Sequence, residues 1–123
     1  MDGPRGRMMK DKNFYWVYML ECDNGHYYTG STDDLLKRFS DHVQGKGRCK
    51  YTRSFRPLKM ARCWRVYGAR GDALKVEAFI KRQSREVKDN LVHLPRRLMK
   101  LFNSENERCL KISSSKPIDI SDV

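Results

Sequence analysis

Between residues 14 and 31 the apolar positions fall into two short blocks separated by a polar triplet. The first block, FYWVYML at 14–20, is dense in aromatic and β-branched side chains; Asp23-Asn24-Gly25 follows, and then HYYTGS. This pattern predicts two strands joined by a tight turn. The spacing then changes. Leu35, Phe39 and Val43 recur every four residues, Asp33 and Asp34 place carboxylates in a first turn where they suit the helix dipole, and Thr32 can cap it. A helix over 33–44 is expected.

Further along, GKGRCKYTRSFRP (45–57) is a glycine-punctuated basic loop with room for one helical turn after Tyr51, and LKMARCWRVYG (58–68) alternates as a third strand bracketed by Pro57 and Gly68. Ala73, Leu74, Val76, Phe79 and Ile80 predict a helix over 72–83 beginning at Asp72, and Ser84 can cap a shorter one to about Leu91. HLPRRLMKLF (93–102) suggests a basic amphipathic helix opened by Pro95. Three regions result: a flexible polar segment at 1–13, a domain at 14–91, and a basic helix with a disordered tail at 92–123, the tail ending in SSSKPIDISDV. The fold class expected is α/β, a small, mainly antiparallel three-stranded sheet flanked by helices.

Charge narrows the partner. Lys and Arg total 26 against 15 acidic residues in 123, a formal net charge of +11, which favours a polyanion. DNA or RNA leads, with an anionic membrane surface as competitor. No apolar run is long enough to span a bilayer and no secretory signal is visible, so a soluble, cytoplasmic protein is expected. Cys22, Cys49, Cys63 and Cys109 form no CxxC pair, which predicts reduced thiols with neither disulfides nor a zinc site.

Three groups of residues fit their local pattern poorly. Glu77 has Ala73, Leu74, Ile80 and Lys81 as its helical neighbours, so its carboxylate lies on or beside a buried stripe. It can pair with Lys81 or reach water; it can also hold a hard divalent cation, since Mg²⁺ commonly takes one or two protein carboxylates. Arg38 and His42, four apart beside the Leu35-Phe39-Val43 stripe, belong on the helix rim, as ordinary surface residues or as a phosphate fork with a proton-exchanging group. The tyrosines depend on hairpin register. A two-residue Asn24-Gly25 turn puts Leu20 opposite Thr29 and sends Tyr18 and Tyr28 to opposite faces; a three-residue Asp23-Asn24-Gly25 loop with Gly25 left-handed puts Leu20 opposite Tyr28 and Tyr18 opposite Gly30. In the second register the phenols share a face, and Gly30 leaves the Tyr18 hydroxyl accessible and its own backbone open to substrate.

Taken together, VYML, the ten-residue step from Tyr18 to Tyr28, YTG, Arg38, His42, KYTR at 50–53 and Glu77 resemble the GIY-YIG nuclease domain, in its small stand-alone bacterial type, over about 14–91. Three positions depart from the pattern: the first motif reads Trp16-Val17-Tyr18, without its glycine and isoleucine, and Thr29 stands where isoleucine is usual. The resemblance implies a metal-dependent endonuclease that hydrolyses DNA phosphodiester bonds in repair, recombination or processing. Tyr18, Tyr28, Arg38, His42 and Glu77 would be its catalytic residues, with Glu77 the ligand of Mg²⁺ (or Mn²⁺).

Each implied role has a chemical reason. Arg38 would hold the phosphoryl oxygens, and the cation at Glu77 would offset charge on the leaving oxygen. Tyr18, with a phenol lowered in pKa by nearby cations or relayed through His42, would take the proton of the attacking water; the residues leave open which of Tyr18 and His42 is the base. Gly30, Lys46, Arg48, Lys50, Tyr51, Thr52 and Arg53 are candidate nucleic-acid contacts, cations around a stackable ring. No small-molecule cofactor is called for. The functional reading selects the three-residue loop. The alternative function is a catalytically inactive basic DNA- or RNA-binding module on the same fold; more distant is a partner-docking protein whose basic C-terminal helix does the work.

Overall fold

The structure, a computed structural model, describes residues 13–123; the expected flexible segment at 1–13 lies almost wholly outside them. Two strands, β1 (Phe14–Cys22) and β2 (Tyr27–Thr32), form the predicted hairpin. Next come α1 (Leu35–Gln44), the single turn α2 (Lys50–Ser54) and the long strand β3 (Pro57–Tyr67). Three helices follow, α3 (Arg70–Lys81), α4 (Arg85–His93) and α5 (Arg97–Asn106), and then β4 (Ile112–Ser115) and a short 3-10 turn (Ile120–Asp122). The sheet is antiparallel, in the order β2-β1-β3-β4.

The sheet therefore has four strands where three were expected, and the fourth comes from the segment read as disordered. A serine run lacks the apolar alternation that announces a strand. What orders it is the open edge of β3: Val66 pairs with Ile112 and Cys63 with Ser115, and the Ile112 side chain enters the core. Ile118 and Val123 then pack against the other side of the sheet.

Helix starts differ slightly from expectation for local reasons. Asp34, not Thr32, caps α1, accepting from the Lys37 N–H at 3.2 Å, while the Thr32 hydroxyl accepts from the Asp34 N–H. α3 begins two residues before Asp72, whose carboxylate reaches back to the Ala69 N–H at 2.9 Å from inside the first turn. Ser84 caps α4 as predicted.

Two clusters fill the two faces of the sheet. Val17, Met19, Trp64 and Val66 meet Ala73, Val76, Phe79 and Ile80 of α3, Leu91 of α4, and Leu98 and Phe102 of α5. α5 thus shares a core with the hairpin, and the α4–α5 connection is tied to β3 by Trp64 Nε1 on the Pro95 carbonyl (2.8 Å) and Arg62 Nε on the Val92 carbonyl (2.6 Å). On the opposite face Tyr18, Leu20, Cys22, Met60 and Cys63 meet Leu35 and Phe39 of α1. Among the described residues no helix is long and apolar enough to cross a membrane.

Candidate active site

The hairpin adopts the three-residue loop. Cys22 N–H donates to the His26 carbonyl and Gly25 N–H to that of Cys22, Gly25 has φ of 83°, and Tyr18 pairs with Gly30 while Leu20 pairs with Tyr28. Arg85 of α4 also donates to the Gly25 carbonyl, and Tyr27 donates to Asp89 at 2.7 Å, so α4 braces the loop from outside. Both phenols lie on the α1 side, with ring centroids 6.4 Å apart.

Tyr18 itself occupies the space above Gly30. A methyl group added there would lie 2.5 Å from the Tyr18 oxygen, and Tyr18 is 1% exposed. The expectation of an accessible hydroxyl over an open glycine is therefore corrected: Gly30 is needed for the phenol to lie down on the strand, and its backbone is buried beneath that ring. Tyr28 is half-buried and is the more outward phenol.

α1 lays its polar side across this pair. His42, expected on the rim, is 1% exposed. Its Nε2 lies 2.8 Å from the Tyr18 oxygen and its Nδ1 2.7 Å from the hydroxyl of Thr52, itself 2% exposed on α2. Thr52 in turn donates to the Cys49 carbonyl at 3.3 Å. Arg38, half-buried, lies close enough to the Tyr18 phenol for its charge to act on it, and donates to the Arg48 carbonyl at 3.3 Å.

The electrostatics follow from this enclosure. Burial, and after it the Arg38 charge, pulls His42 down to about 4, against a weaker opposing pull from Asp41. Burial, helped by Tyr28, raises the Tyr18 phenol well above its ordinary value, and Arg38 only partly offsets this. The expected lowering of the Tyr18 pKa by nearby cations is overturned, because desolvation outweighs them. Both groups are neutral at neutral pH.

Glu77 arrives from the other layer. It lies on α3, which packs on the Val17 face, and its carboxylate accepts from the Ser31 hydroxyl at 2.7 Å and pairs with Lys81 at 2.7 Å. Ser31 is opposite Val17, so the two tyrosines look toward Arg38 as expected but not directly toward Glu77. The two sides meet at the edge strand β2. A cavity of about 130 Å³ at its end is lined by Tyr15, Ser31, Thr32, Asp33, Arg38, Arg70 and Ala73, joining the Arg38 side to the serine that holds Glu77.

The basic loop divides into exposed and enclosed members. Lys46, Arg48, Lys50 and Arg53 are exposed, the last also donating to the Gly47 carbonyl at 3.0 Å. Tyr51 is not a free platform: it stacks on Tyr28 (5.6 Å), meets Phe55 on another side (5.1 Å) and accepts from Asn24 at 2.8 Å. Thr52 is turned inward to His42 and has no surface to offer a nucleic acid.

The sequence pattern of the GIY-YIG catalytic domain matches residues 14–90. The chain belongs to the GIY-YIG family. Its domain is of the nuclease type, and it is similar to small stand-alone bacterial proteins. The UPF0213 protein FN1575 of Fusobacterium nucleatum is 37% identical over 98 residues, which is 80% of this chain and 94% of that one. The UPF0213 protein lin0209 of Listeria innocua is 38% identical over 82 residues, covering 67% and 89%. Among solved structures, the solution NMR structure of the UPF0213 protein BH0048 from Bacillus halodurans is 38% identical, with a TM-score of 0.43 over 66% of this chain and 84% of that one.

For a GIY-YIG domain, Glu77 is the group to test against a divalent cation. Among the described residues no cluster of three or more His, Cys, Asp or Glu side chains forms. A lone carboxylate with a hydroxyl beside it is still a hard-oxygen donor set of the kind Mg²⁺ accepts, and the half-exposed Lys81 ammonium already holds a positive charge against it. The donors fit. Arg70 and Ser31 carry no signal in the sequence, where a helix-opening arginine and a strand serine are ordinary; the meeting of β2 with α3 is what brings them to one cavity, with Ser31 on Glu77.

Proposed function

We propose that this protein is a divalent-metal-dependent endonuclease that hydrolyses DNA phosphodiester bonds in the cytoplasm. The observation that carries the reading is the position of Arg38, which lines the cavity bordered by Ser31 and whose charge also acts on the buried Tyr18–His42 pair. Arg38 presents a planar fork for two phosphoryl oxygens. Drawn to a phosphate, it moves its charge away from beside the Tyr18 oxygen, so substrate binding frees the proton acceptor. Tyr28 can donate to a phosphoryl oxygen from the same face. Glu77, with Ser31 beside it, would hold Mg²⁺ (or Mn²⁺), which when bound supplies positive charge for the leaving oxygen. Lys46, Arg48, Lys50 and Arg53 would follow the DNA backbone.

A second reading rests on one observation: both Glu77 oxygens are engaged, one by Lys81. If that ion pair persists with DNA bound, the domain binds nucleic acid without cutting it. Incubating the purified protein with end-labelled single-stranded, duplex and branched DNA, with Mg²⁺, with Mn²⁺ and with chelator, separates the two. Metal-dependent cleavage of at least one substrate is expected. Binding with no cleavage in either metal would overturn the nuclease reading.

A further inference from the structure

The protons around His42 can be placed by elimination. Thr52 has one hydroxyl hydrogen and two neighbours, the Cys49 carbonyl, which can only accept, and His42 Nδ1. Tyr18 likewise has one hydrogen; His42 Nε2 lies 2.8 Å from its oxygen, and the Arg38 guanidinium, whose charge acts on the phenol, can only donate. If Thr52 donates to Cys49, then Nδ1–H donates to Thr52 and Tyr18 O–H donates to the bare Nε2, and every proton has an acceptor. The reverse tautomer sets Nε2–H against the Tyr18 oxygen and leaves the phenol hydrogen without an acceptor on either His42 or Arg38.

We propose that Thr52 is a positioning residue that fixes His42 as the Nδ1–H tautomer, so that Nε2 is the acceptor for the Tyr18 proton. The consequence for catalysis rests on the nuclease reading above; the tautomer does not. In the reaction the attacking water loses a proton to the Tyr18 oxygen as its own oxygen bonds to phosphorus. The Tyr18 O–H bond breaks, its proton forms a new bond to His42 Nε2, and the leaving oxygen departs with the electron pair of the broken P–O bond. The resulting imidazolium keeps its Nδ1–H on Thr52. Burial opposes this transfer in the free protein, and a phosphate beside Arg38 offsets the charge that disfavours imidazolium.

The test uses the full chain with ¹⁵N-labelled histidine. In the wild type, without DNA, His42 Nδ1 is expected to show the protonated and Nε2 the unprotonated ring-nitrogen signature. Thr52→Val, which removes the acceptor at nearly constant volume, should lose that single tautomer and lower kcat by about 10- to 100-fold with KM nearly unchanged. Thr52→Ser should restore both. A wild-type Nε2–H signature, which requires no variant, or a Thr52→Val protein with altered tautomer and normal kcat, would overturn the proposal. The expected tautomer in a wild-type protein that cuts no DNA would instead overturn the nuclease reading and leave the tautomer assignment standing.

Discussion

The two faces of the sheet do different physical work. On the α3 side, Val17, Met19, Trp64 and Val66 close against Val76, Phe79, Ile80, Leu98 and Phe102, an apolar layer whose role is burial. On the α1 side, Tyr18, His42 and Thr52 form an enclosed hydrogen-bonded chain beside Leu35 and Phe39. Among the described residues, the buried polar side chains are His42 and Thr52 on this side and Thr29, opposite Met19, on the other. Enclosing polar groups is worthwhile only when each finds a partner, and a chain that meets this condition holds its members in one geometry. Stability is concentrated on one face and candidate chemistry on the other, with Glu77, on the first face, bonded to Ser31 at the β2 edge.

Removing apolar volume should break only the first half of that contrast. Phe79, edge-on to Phe102 with ring centroids 5.4 Å apart, is 1% exposed; Phe79→Ala is expected to cost about 3–5 kcal/mol in denaturant unfolding, with activity per folded molecule retained. Lost activity in a fully folded sample would mean that the faces are not separable.

His42 probes the other half through pH. Its ordinary value near 6.5 applies to the unfolded chain, while the folded protein holds it near 4, so between these values only the unfolded state takes up the proton. The His42 contribution is intact above about pH 6.5 and is lost as pH falls toward 4, a total of about 3 kcal/mol. His42→Gln should remove that part of the slope in a series of unfolding curves; an unchanged slope would show that enclosure of the imidazole is not what sets it.

The two hairpin glycines sharpen the comparison at smaller amplitude. Gly30→Ala forces a methyl group to within 2.5 Å of the Tyr18 oxygen, and should displace the phenol from His42 at a cost of about 1–3 kcal/mol and most of the activity. Gly25→Ala meets no atom within 4 Å and carries only the left-handed backbone term, about 1 kcal/mol, with the site intact. Equal losses of activity would show that loop geometry, not room for the phenol, is what Gly30 supplies. Smallest in energy is the outer loop: Lys50→Ala with Arg53→Ala should lower the slope of log affinity against log salt by about 1–2, and an unchanged slope would move the DNA path toward the exposed Arg96, Arg97 and Lys100.

Much of the frame was legible because it is local. The hairpin blocks, the Leu35-Phe39-Val43 stripe and the Ser84 cap each announce their element, and the requirement that Tyr18 and Tyr28 share a face picked the register that the structure adopts. What escaped depends on elements meeting. Ser113–Ser115 became strand only because β3 had an open edge. His42 is buried because α2 folds over α1 and brings Thr52 to it, and the same movement turns Thr52 and the Tyr51 ring away from solvent. Periodicity places Glu77 beside a buried stripe, and cannot say that this stripe belongs to the face opposite the tyrosines.

The central claim is that residues from both faces act as one metal-dependent site across the β2 edge. Single-turnover cleavage of labelled DNA in Mg²⁺ by Glu77→Gln, Arg38→Lys and the double variant tests it most directly, beside filter-binding affinity and an unfolding curve for each. The account predicts that each single variant loses about 10³-fold or more in rate while folding and binding DNA much like the wild type, and that the double variant is little worse than either. Metal-dependent cleavage by Glu77→Gln at close to the wild-type rate would contradict it.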